Sequence, residues 1–211
     1  MGVTAIVPVK ALPHAKSRLA GHLDQPQRRA LVIWMLGRVL DACLGARPID
    51  RVLVVAGDLH AAAVAARPGV DVVIEPSPGL RAALETADQA ASQAHATIVI
   101  PADLPLATAT DLETICAASD PVVVVPTRDG GTGALARRPP DVVGTAFGPA
   151  SAAAHLRLAA AGGVCATLMS LPNLALDVDT PADLRLLHDR VGCRSLSPQH
   201  GAGMPQGECA L

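Results

Sequence analysis

The feature that most constrains the fold is a regular alternation of short β-branched runs with alanine-rich stretches. Each β-branched run is almost continuously apolar, which is typical of strands covered on both faces. The runs lie at residues 4–9, 51–57, 71–76, 96–101 and 121–127. Helix-forming stretches lie between them at residues 27–46, 59–67, 79–94 and 108–119, the last with a Thr or Asp available as N-cap. This alternation predicts an α/β protein with three α/β/α layers, Rossmann-like, around a mostly parallel mixed sheet.

The pattern changes after residue 127. Residues 128–137 predict a turn that leads into a short strand, and Asp177 and Asp179 are expected on a further short strand. Helices are predicted at residues 150–163 and 181–190, the second with Pro in its first turn. We expect a single domain over residues 1–192 and a disordered tail over 193–211, which is rich in Gly, Pro, Ser and Gln. The glycines at 201–207 do not follow a predicted strand, so they do not form a dinucleotide fingerprint.

Composition and charge exclude several classes of function. A formal net charge of −2 without a basic run argues against nucleic acid or an anionic membrane as a partner. One Trp, one Phe and no Tyr make base stacking on aromatic side chains improbable. No apolar window is long enough to span a membrane, and the first residues lack the charged start of a signal peptide. Five scattered cysteines fit reduced thiols in a cytoplasmic protein, and Cys43 and Cys116 are expected as small core residues. A small ligand is therefore the expected partner, and a homodimer is left open.

A basic loop follows the first predicted strand. Ligands of open parallel sheets bind at the carboxyl ends of the strands. Lys10, Lys16 and Arg18 lie there, with Asp24 as the nearest acid. Their charges suit a triphosphate, although a solvated basic loop would have the same composition.

Three aspartates form the second candidate group. Asp103 follows the fourth predicted strand in a turn bracketed by prolines, while Asp177 and Asp179 share one face of an extended segment. Mg²⁺ prefers such hard oxygen ligands and commonly uses one or two carboxylates together with substrate phosphates. Each aspartate also has a structural alternative as a turn or helix-capping residue, and Thr180 is a candidate cap for the last helix.

A third group is rich in glycine and hydroxyl side chains. Thr132 lies in 129-DGGTGAL-135, and Ser151 in 147-FGPASAAAH-155 begins a predicted helix. Glycines allow close approach of a ligand, and a helix start favours an anion. Ser151 would otherwise serve as a plain N-cap, and His155 either faces the same pocket or packs in the core.

Five motifs in this order resemble the 2-phospho-L-lactate guanylyltransferase family of deazaflavin coenzyme (F-420) biosynthesis. They are VPVK…AKSRLA, PADLPL, DGGTGAL, FGPAS…H and LDVDTPADL, between residues 3 and 187. The resemblance implies a nucleotidyltransferase (GT-A-like) fold, and transfer of GMP from GTP to a phosphorylated three-carbon acid with release of pyrophosphate. The acceptor would be 2-phospho-L-lactate, phosphoenolpyruvate or 3-phosphoglycerate, and the alanine- and arginine-rich composition favours phosphoenolpyruvate.

The resemblance also implies a role for each candidate residue. Lys10, Lys16 and Arg18 would bind the triphosphate, and together with Asp103 they would be the catalytic residues. Mg²⁺ would be held by Asp103 and Asp179, with Asp177 beside them. The nucleotide would also lie against the run that begins at Gly79. The acceptor's phosphate or carboxylate would be held by Thr132, Gly148 and Ser151.

Three positions depart from the family's usual motifs: Gly133 replaces an Asn, Arg81 replaces another Asn, and Ala152 replaces an aromatic residue. They bear on base and acceptor identity more than on the reaction class. Two alternatives stay open at this point. One is a molybdenum-cofactor nucleotidyltransferase, although the loop at residues 5–20 lacks its usual motif. The other is a non-catalytic GTP-binding paralogue.

Overall fold

A computed structural model describes residues 2–12, 16–75 and 79–191. The expected tail, the glycines at 201–207 and residue 192 lie outside the described residues. The described strands are β1 (Val3–Val9), β2 (Ile49–Ala56), β3 (Val70–Ile74), β4 (Ala96–Val99), β5 (Val122–Pro126), β6 (Thr132–Arg137) and β7 (Ala166–Leu168). The described helices are α1 (Gln25–Gly45), α2 (Leu59–Ala65), α3 (Leu80–Ala90), α4 (Ala109–Ala117), α5 (Ser151–Ala161) and α6 (Pro181–Val191).

The strands form one seven-stranded mixed sheet in the order β3-β2-β1-β4-β6-β5-β7. β1 pairs in parallel with both β2 and β4, and β3 extends the parallel part beyond β2. β6 runs antiparallel to β4 and to β5, and β7 is parallel to β5. The chain moves outward from β1 to β3 and then returns to β4 on the other side of β1. The gap between β1 and β4 is therefore a topological switch point, where open α/β sheets bind ligands.

Helices cover both faces of the sheet, as the strand and helix alternation predicts. One face packs against α1, α2, α4 and α6, and the other against α3 and α5. β1, β4 and β5 are buried on both sides, which is why they are almost continuously apolar. Valine, leucine, isoleucine and alanine dominate the two cores, of which the larger lies on the side of α1 and the smaller on the side of α3. Cys43 is fully buried in the larger core and Cys116 packs against it, which confirms their predicted role.

Local capping explains where several helices begin. In α1 the Asp24 carboxylate accepts from the backbone of Gln27, whose side chain accepts in return from the backbone of Asp24. Thr108 and Asp111 form the same reciprocal arrangement at the start of α4, which confirms the Thr of the predicted cap. α6 begins at Pro181, as expected. The Thr180 hydroxyl accepts from the backbone N–H of Asp183, so Thr180 caps the helix as predicted.

Two sequence expectations about strands are wrong. The segment that carries Asp177 and Asp179 is extended but belongs to no strand. The alternate positions of Asp177 and Asp179 suggested a strand, but the apolar residues between and before them, Leu176 and Val178, pack against the larger core without pairing in the sheet. The sequence prediction also missed β7, which has three residues and is only partly buried, so it has no apolar signature.

In the described part of the chain, no helix is both long enough and apolar enough to cross a membrane.

Candidate active site

The site lies at the carboxyl edge of the sheet, which we define by the residues that follow the first four strands. Lys10 follows β1, Gly57 follows β2, Glu75 follows β3, and Asp103 lies in the turn after β4. These strands are all parallel to one another, so their carboxyl ends lie on the same side of the molecule. The predicted basic loop and the predicted Asp103 are therefore brought to one place by the topology.

Lys16, Asp103 and Asp179 form a charged cluster at this edge, with Lys16 at its centre. Its ammonium lies 2.6 Å from Asp103 Oδ2 and 2.6 Å from Asp179 Oδ1, and its side chain is only 8% exposed. The backbone of Lys16 is left-handed, with φ of 56°, just before a 3₁₀ turn at Ser17–Leu19. Leu19 in that turn is fully buried and anchors the loop in the core. The strained backbone at Lys16 is held by this anchor and by the two ion pairs.

Backbone bonds position the two carboxylates. The Val178 N–H donates to the Asp103 carbonyl at 3.2 Å, which ties the segment before α6 to the turn after β4. Beyond Asp179, the Asp183 carboxylate accepts from the backbone of Thr180 and from its hydroxyl. Residues that are far apart in sequence, at 16, 103 and 179, thus meet through two well-fixed loops.

The electrostatics of the three groups follow from their burial and their partners. Burial lowers the pKa of Lys16, but Asp103 and Asp179 outweigh this effect, so the pKa of Lys16 is raised. Burial raises the pKa of Asp179, but Lys16, with smaller contributions from Arg18 and Lys10, lowers it below its usual value. The pKa of Asp177 is raised to about 6 by burial and by the neighbouring charges of Asp103, Asp129 and Asp179. Asp177 thus differs from Asp179, because no cation among the described residues lowers its pKa.

The other predicted phosphate-binding cations are more exposed. Arg18 is 73% exposed, and its guanidinium lies 3.8 Å from Asp179 Oδ2. Lys10 is also exposed, and its charge acts on the pKa of Asp179, so it lies near the same cluster. Arg18 and Lys10 are therefore accessible cations beside a buried one. Gly79 is the N-cap of α3, with a φ of 136° that favours glycine.

The aspartates offer hard oxygen donors of the kind that Mg²⁺ requires. In residues 2–12, 16–75 and 79–191, no group of three or more His, Cys, Asp or Glu is arranged to hold a metal ion. Two carboxylates nevertheless converge on a single cation, the Lys16 ammonium. Since Mg²⁺ often uses only one or two protein carboxylates together with phosphates, the donor set of Asp103 and Asp179 fits the ion.

Thr132, Ser151 and His155 form a buried network between the start of β6 and α5. Thr132 Oγ1 lies 2.8 Å from Ser151 Oγ and 3.1 Å from His155 Nδ1. The Ala146 N–H donates to His155 Nε2, so that in the neutral ring Nδ1 carries the proton and donates to Thr132. Burial, with the nearby charge of Arg137, lowers the pKa of His155 to about 4, so the ring is neutral at pH 7.

The alternative reading of Ser151 as a plain N-cap is wrong. The N-cap of α5 is Ala150, with a left-handed φ of 53°, and its side chain makes no capping hydrogen bond. Ser151 is the first helical residue, and its hydroxyl turns inward to Thr132 because that buried oxygen needs a partner. The network fixes the loop before α5, in which Phe147 packs edge-on against His155 and Gly148 is exposed with a φ of 143°.

The departures from the family motifs have clear structural settings. A Cβ at Gly133 would lie 2.0 Å from the Leu174 carbonyl oxygen, so only glycine allows this close contact with the segment leading to Asp177. Arg81 is 93% exposed and pairs with Glu85 along the surface of α3. Ala152 is buried in the smaller core.

Sequence reasoning missed Glu75, which lines a cleft of about 210 Å³ at the carboxyl edge. The cleft is lined by Pro8, Val9, Lys10, Ala11, Glu75, Gly79, Leu80 and Ala83. A signal was present, since Glu75 follows a β-branched run in the same way that Asp103 does. The prediction instead extended the third strand to residue 76, which hid the glutamate inside the strand.

The sheet order and the position of the charged cluster define a nucleotidyltransferase fold. A nucleotidyl transferase from Methanothermobacter shares it, with a TM-score of 0.64 over 90% of this chain and 97% of that chain at 17% identity. The sequence matches the guanylyl transferase CofC-like family over residues 3–190, and the chain belongs to that family. The predicted resemblance and enzyme class are confirmed.

Two curated relatives carry more specific names. One is phosphoenolpyruvate guanylyltransferase from Sphaerobacter thermophilus, 39% identical over 92% of this chain and 98% of its own length. The other is 3-phospho-D-glycerate guanylyltransferase from Phenylobacterium zucineum, 39% identical over 85% of this chain and 86% of its own length. Relatives of equal similarity thus differ in the acceptor that their names specify.

Proposed function

We propose that the protein transfers GMP from GTP to the phosphate of a phosphorylated three-carbon acid and releases pyrophosphate. The observation that carries this proposal is membership of the guanylyl transferase family, with relatives named for such acceptors across nearly the whole chain. Phosphoenolpyruvate is our first candidate acceptor, with 3-phosphoglycerate and 2-phospho-L-lactate as the alternatives. A role in deazaflavin coenzyme biosynthesis is proposed from the sequence resemblance.

The chemistry requires no side-chain nucleophile. An oxygen of the acceptor phosphate attacks the α-phosphorus of GTP, and the bond between this phosphorus and the oxygen bridging to the β-phosphate breaks. The acceptor phosphate is already ionised at neutral pH, so a general base is unnecessary. Catalysis then depends on positioning and on charge stabilisation around the α-phosphoryl group and the leaving pyrophosphate.

The accessible cations suit the triphosphate. Lys10 and Arg18 are exposed at the carboxyl edge, where a triphosphate has room to bind, and Lys16 supplies a fixed positive charge that two carboxylates hold in place. A buried ammonium held in place by two carboxylates is pre-organised, so little reorganisation is needed when the phosphates arrive.

Asp103 and Asp179 would hold Mg²⁺, and Asp177 would lie beside it. When bound, the ion supplies charge stabilisation at the phosphoryl oxygens. The protein's own contribution is to keep two carboxylates together on rigid loops, through the Val178 contact to Asp103 and the helix cap at Thr180.

We place the acceptor's phosphate or carboxylate at Thr132, Gly148 and Ser151. Asp129 in the turn before Thr132 acts on the pKa of Asp177, so this turn lies near the aspartates. The buried hydroxyl network would fix the loop around Gly148, whose exposed backbone offers polar groups to an anion. The acceptor would thereby lie next to the α-phosphate.

The test is to incubate the purified protein with GTP, Mg²⁺ and each of the three acceptors in parallel, and to measure pyrophosphate and the mass of the product. A guanylylated product from one acceptor is expected. GTP binding without pyrophosphate release from any of the three would contradict the proposal and favour a non-catalytic GTP-binding protein. Replacing GTP by CTP in the same assay checks the donor.

A further inference from the structure

We propose that Glu75 recognises the guanine base, with its carboxylate accepting hydrogen bonds from the N1–H and the 2-amino group. This assignment rests on the proposed function, because it concerns the donor nucleotide of that same site. It makes Glu75 the residue that selects GTP over other purine nucleotides.

The position of Glu75 carries the first step. It follows β3 at the carboxyl edge, and its backbone N–H donates to the Ala56 carbonyl at 3.0 Å, which fixes the start of the loop. The cleft of about 210 Å³ that it lines also includes Lys10. Lys10, which we place at the triphosphate, therefore lies on one side of this cleft. A nucleotide with its phosphates at the cluster would have its base directed to the Glu75 end.

The lining of the cleft suits a base. Pro8, Val9, Leu80 and Ala83 supply aliphatic walls, which offer van der Waals contact to a planar ring without an aromatic side chain. Lys10 and Glu75 are the charged residues among the lining. A mostly apolar cleft with few polar groups is typical of ligand sites, where the polar groups set orientation and specificity.

The carboxylate of Glu75 has free capacity. Its Oε1 accepts from the Gly79 N–H at 3.3 Å, which orients the group and leaves further lone pairs for a ligand. Within the described ranges, no ion pair engages Glu75, unlike Asp103, Asp179 and Glu85. Gly57 makes room for it, since a Cβ there would lie 3.1 Å from Glu75 Oε1 and 2.7 Å from the Ala11 nitrogen.

Guanine matches this acceptor. Its Watson–Crick edge presents two adjacent donors, whereas adenine presents an acceptor at N1 and a carboxylate would face it unfavourably. Proteins commonly read unpaired bases through such edge contacts. Bonds to an ionised acceptor are the stronger kind, and a donor-acceptor mismatch leaves a polar group unpaired.

The experiment compares binding of GTP, ITP and XTP, with Mg²⁺, to the full-length protein by calorimetry, together with pyrophosphate release. ITP lacks the 2-amino group, and XTP replaces it with an oxygen acceptor. We expect the wild type to bind GTP more tightly than ITP, on the order of 10- to 100-fold. In Glu75→Ala this preference falls to within about twofold, and Glu75→Gln, whose amide can donate, gains affinity for XTP.

Glu85→Gln is the matched control. Glu85 lies on α3, the helix whose Leu80 and Ala83 line the cleft, but it pairs with Arg81 at the surface. It should retain the wild-type preference. Equal binding of GTP and ITP by the wild type, or an unchanged preference in both Glu75 variants, would overturn the assignment. Because binding is measured without turnover, this result is separate from the proposed function, which fails only if no acceptor releases pyrophosphate in the wild type.

Discussion

Replacing Lys16 by Met tests whether this lysine holds the two carboxylates of the site together. Each carboxylate oxygen lies 2.6 Å from the ammonium, so the two oxygens are no more than about 5.2 Å apart. At an effective dielectric constant of about 20, two negative charges at this separation repel by about 3 kcal/mol. Asp103 is 29% and Asp179 is 41% exposed, so water screens part of this repulsion.

The expected cost is about 1–2 kcal/mol at pH 7.5 after allowance for solvent screening. The repulsion is present in the wild type as well, where Lys16 offsets it, so the cost is the attraction lost with Lys16 less the burial cost that removing its charge relieves. The pKa of Lys16 is raised, so the attraction is the larger of the two. The chain's single tryptophan, Trp34, packs against the core and reports guanidinium-induced unfolding by fluorescence. Lys10→Met removes the same charge from an exposed position and should change the unfolding free energy by less than about 0.5 kcal/mol.

The pH dependence gives the sharper result. The pKa of Asp179 is lowered in the folded wild type, so its stabilisation is present above the unfolded value and is lost as pH falls through the folded value. In Lys16→Met that stabilisation is absent, and protonation of one carboxylate near pH 4 relieves the repulsion. The pKa of Lys16 is raised, so its own titration affects only alkaline pH. The gap between wild type and variant should shrink from pH 7.5 to pH 4, and an equal gap at both pH values would refute the reasoning.

Two further substitutions test neighbouring parts of the site. Asp177→Asn should stabilise the protein at pH 7.5 by about 1 kcal/mol after allowance for solvent screening. The gain should disappear below about pH 4, because a pKa raised to about 6 destabilises the fold only where Asp177 is ionised; a gain independent of pH in denaturant titrations would disagree. Gly133→Ala should cost about 1–3 kcal/mol, since its Cβ would lie 2.0 Å from the Leu174 oxygen. Gly144→Ala, which meets nothing within 4 Å, is the control, and equal melting temperatures for the two variants would count against the close contact.

The layers of the fold were predictable because each buried strand has a continuous apolar signature. A strand covered on both faces consists mostly of apolar residues, so its position is visible without knowledge of its partners. β7 has three partly buried residues and no such signature. The segment at Asp177 has alternating apolar residues, but one sequence does not reveal whether an extended segment has a hydrogen-bonded neighbour.

The site was predictable to the extent that it follows from topology. Lys10 and Asp103 follow strands that the alternation places in one parallel sheet, so their proximity at the carboxyl edge could be inferred. The bridging position of Lys16 could not be inferred, because it depends on a left-handed backbone and on a buried leucine two positions after Ser17. The inward turn of Ser151 depends on Thr132, which is 19 residues away in sequence on β6. His155 lies one turn further along α5, so only its proximity to Ser151 could be inferred from the sequence.

The most direct test of the account is the transfer of GMP by the wild type compared with Asp103→Asn and Asp179→Asn, measured as product mass with GTP, Mg²⁺ and the preferred acceptor. Asp141→Asn, at an exposed position to which we assign no role in the reaction, is the matched control. We predict a guanylylated product from the wild type and the control, and a loss on the order of 100-fold or more in both site variants while their folded circular dichroism spectra persist. Full transfer activity in either site variant would contradict the claim that this edge of the sheet carries the reaction.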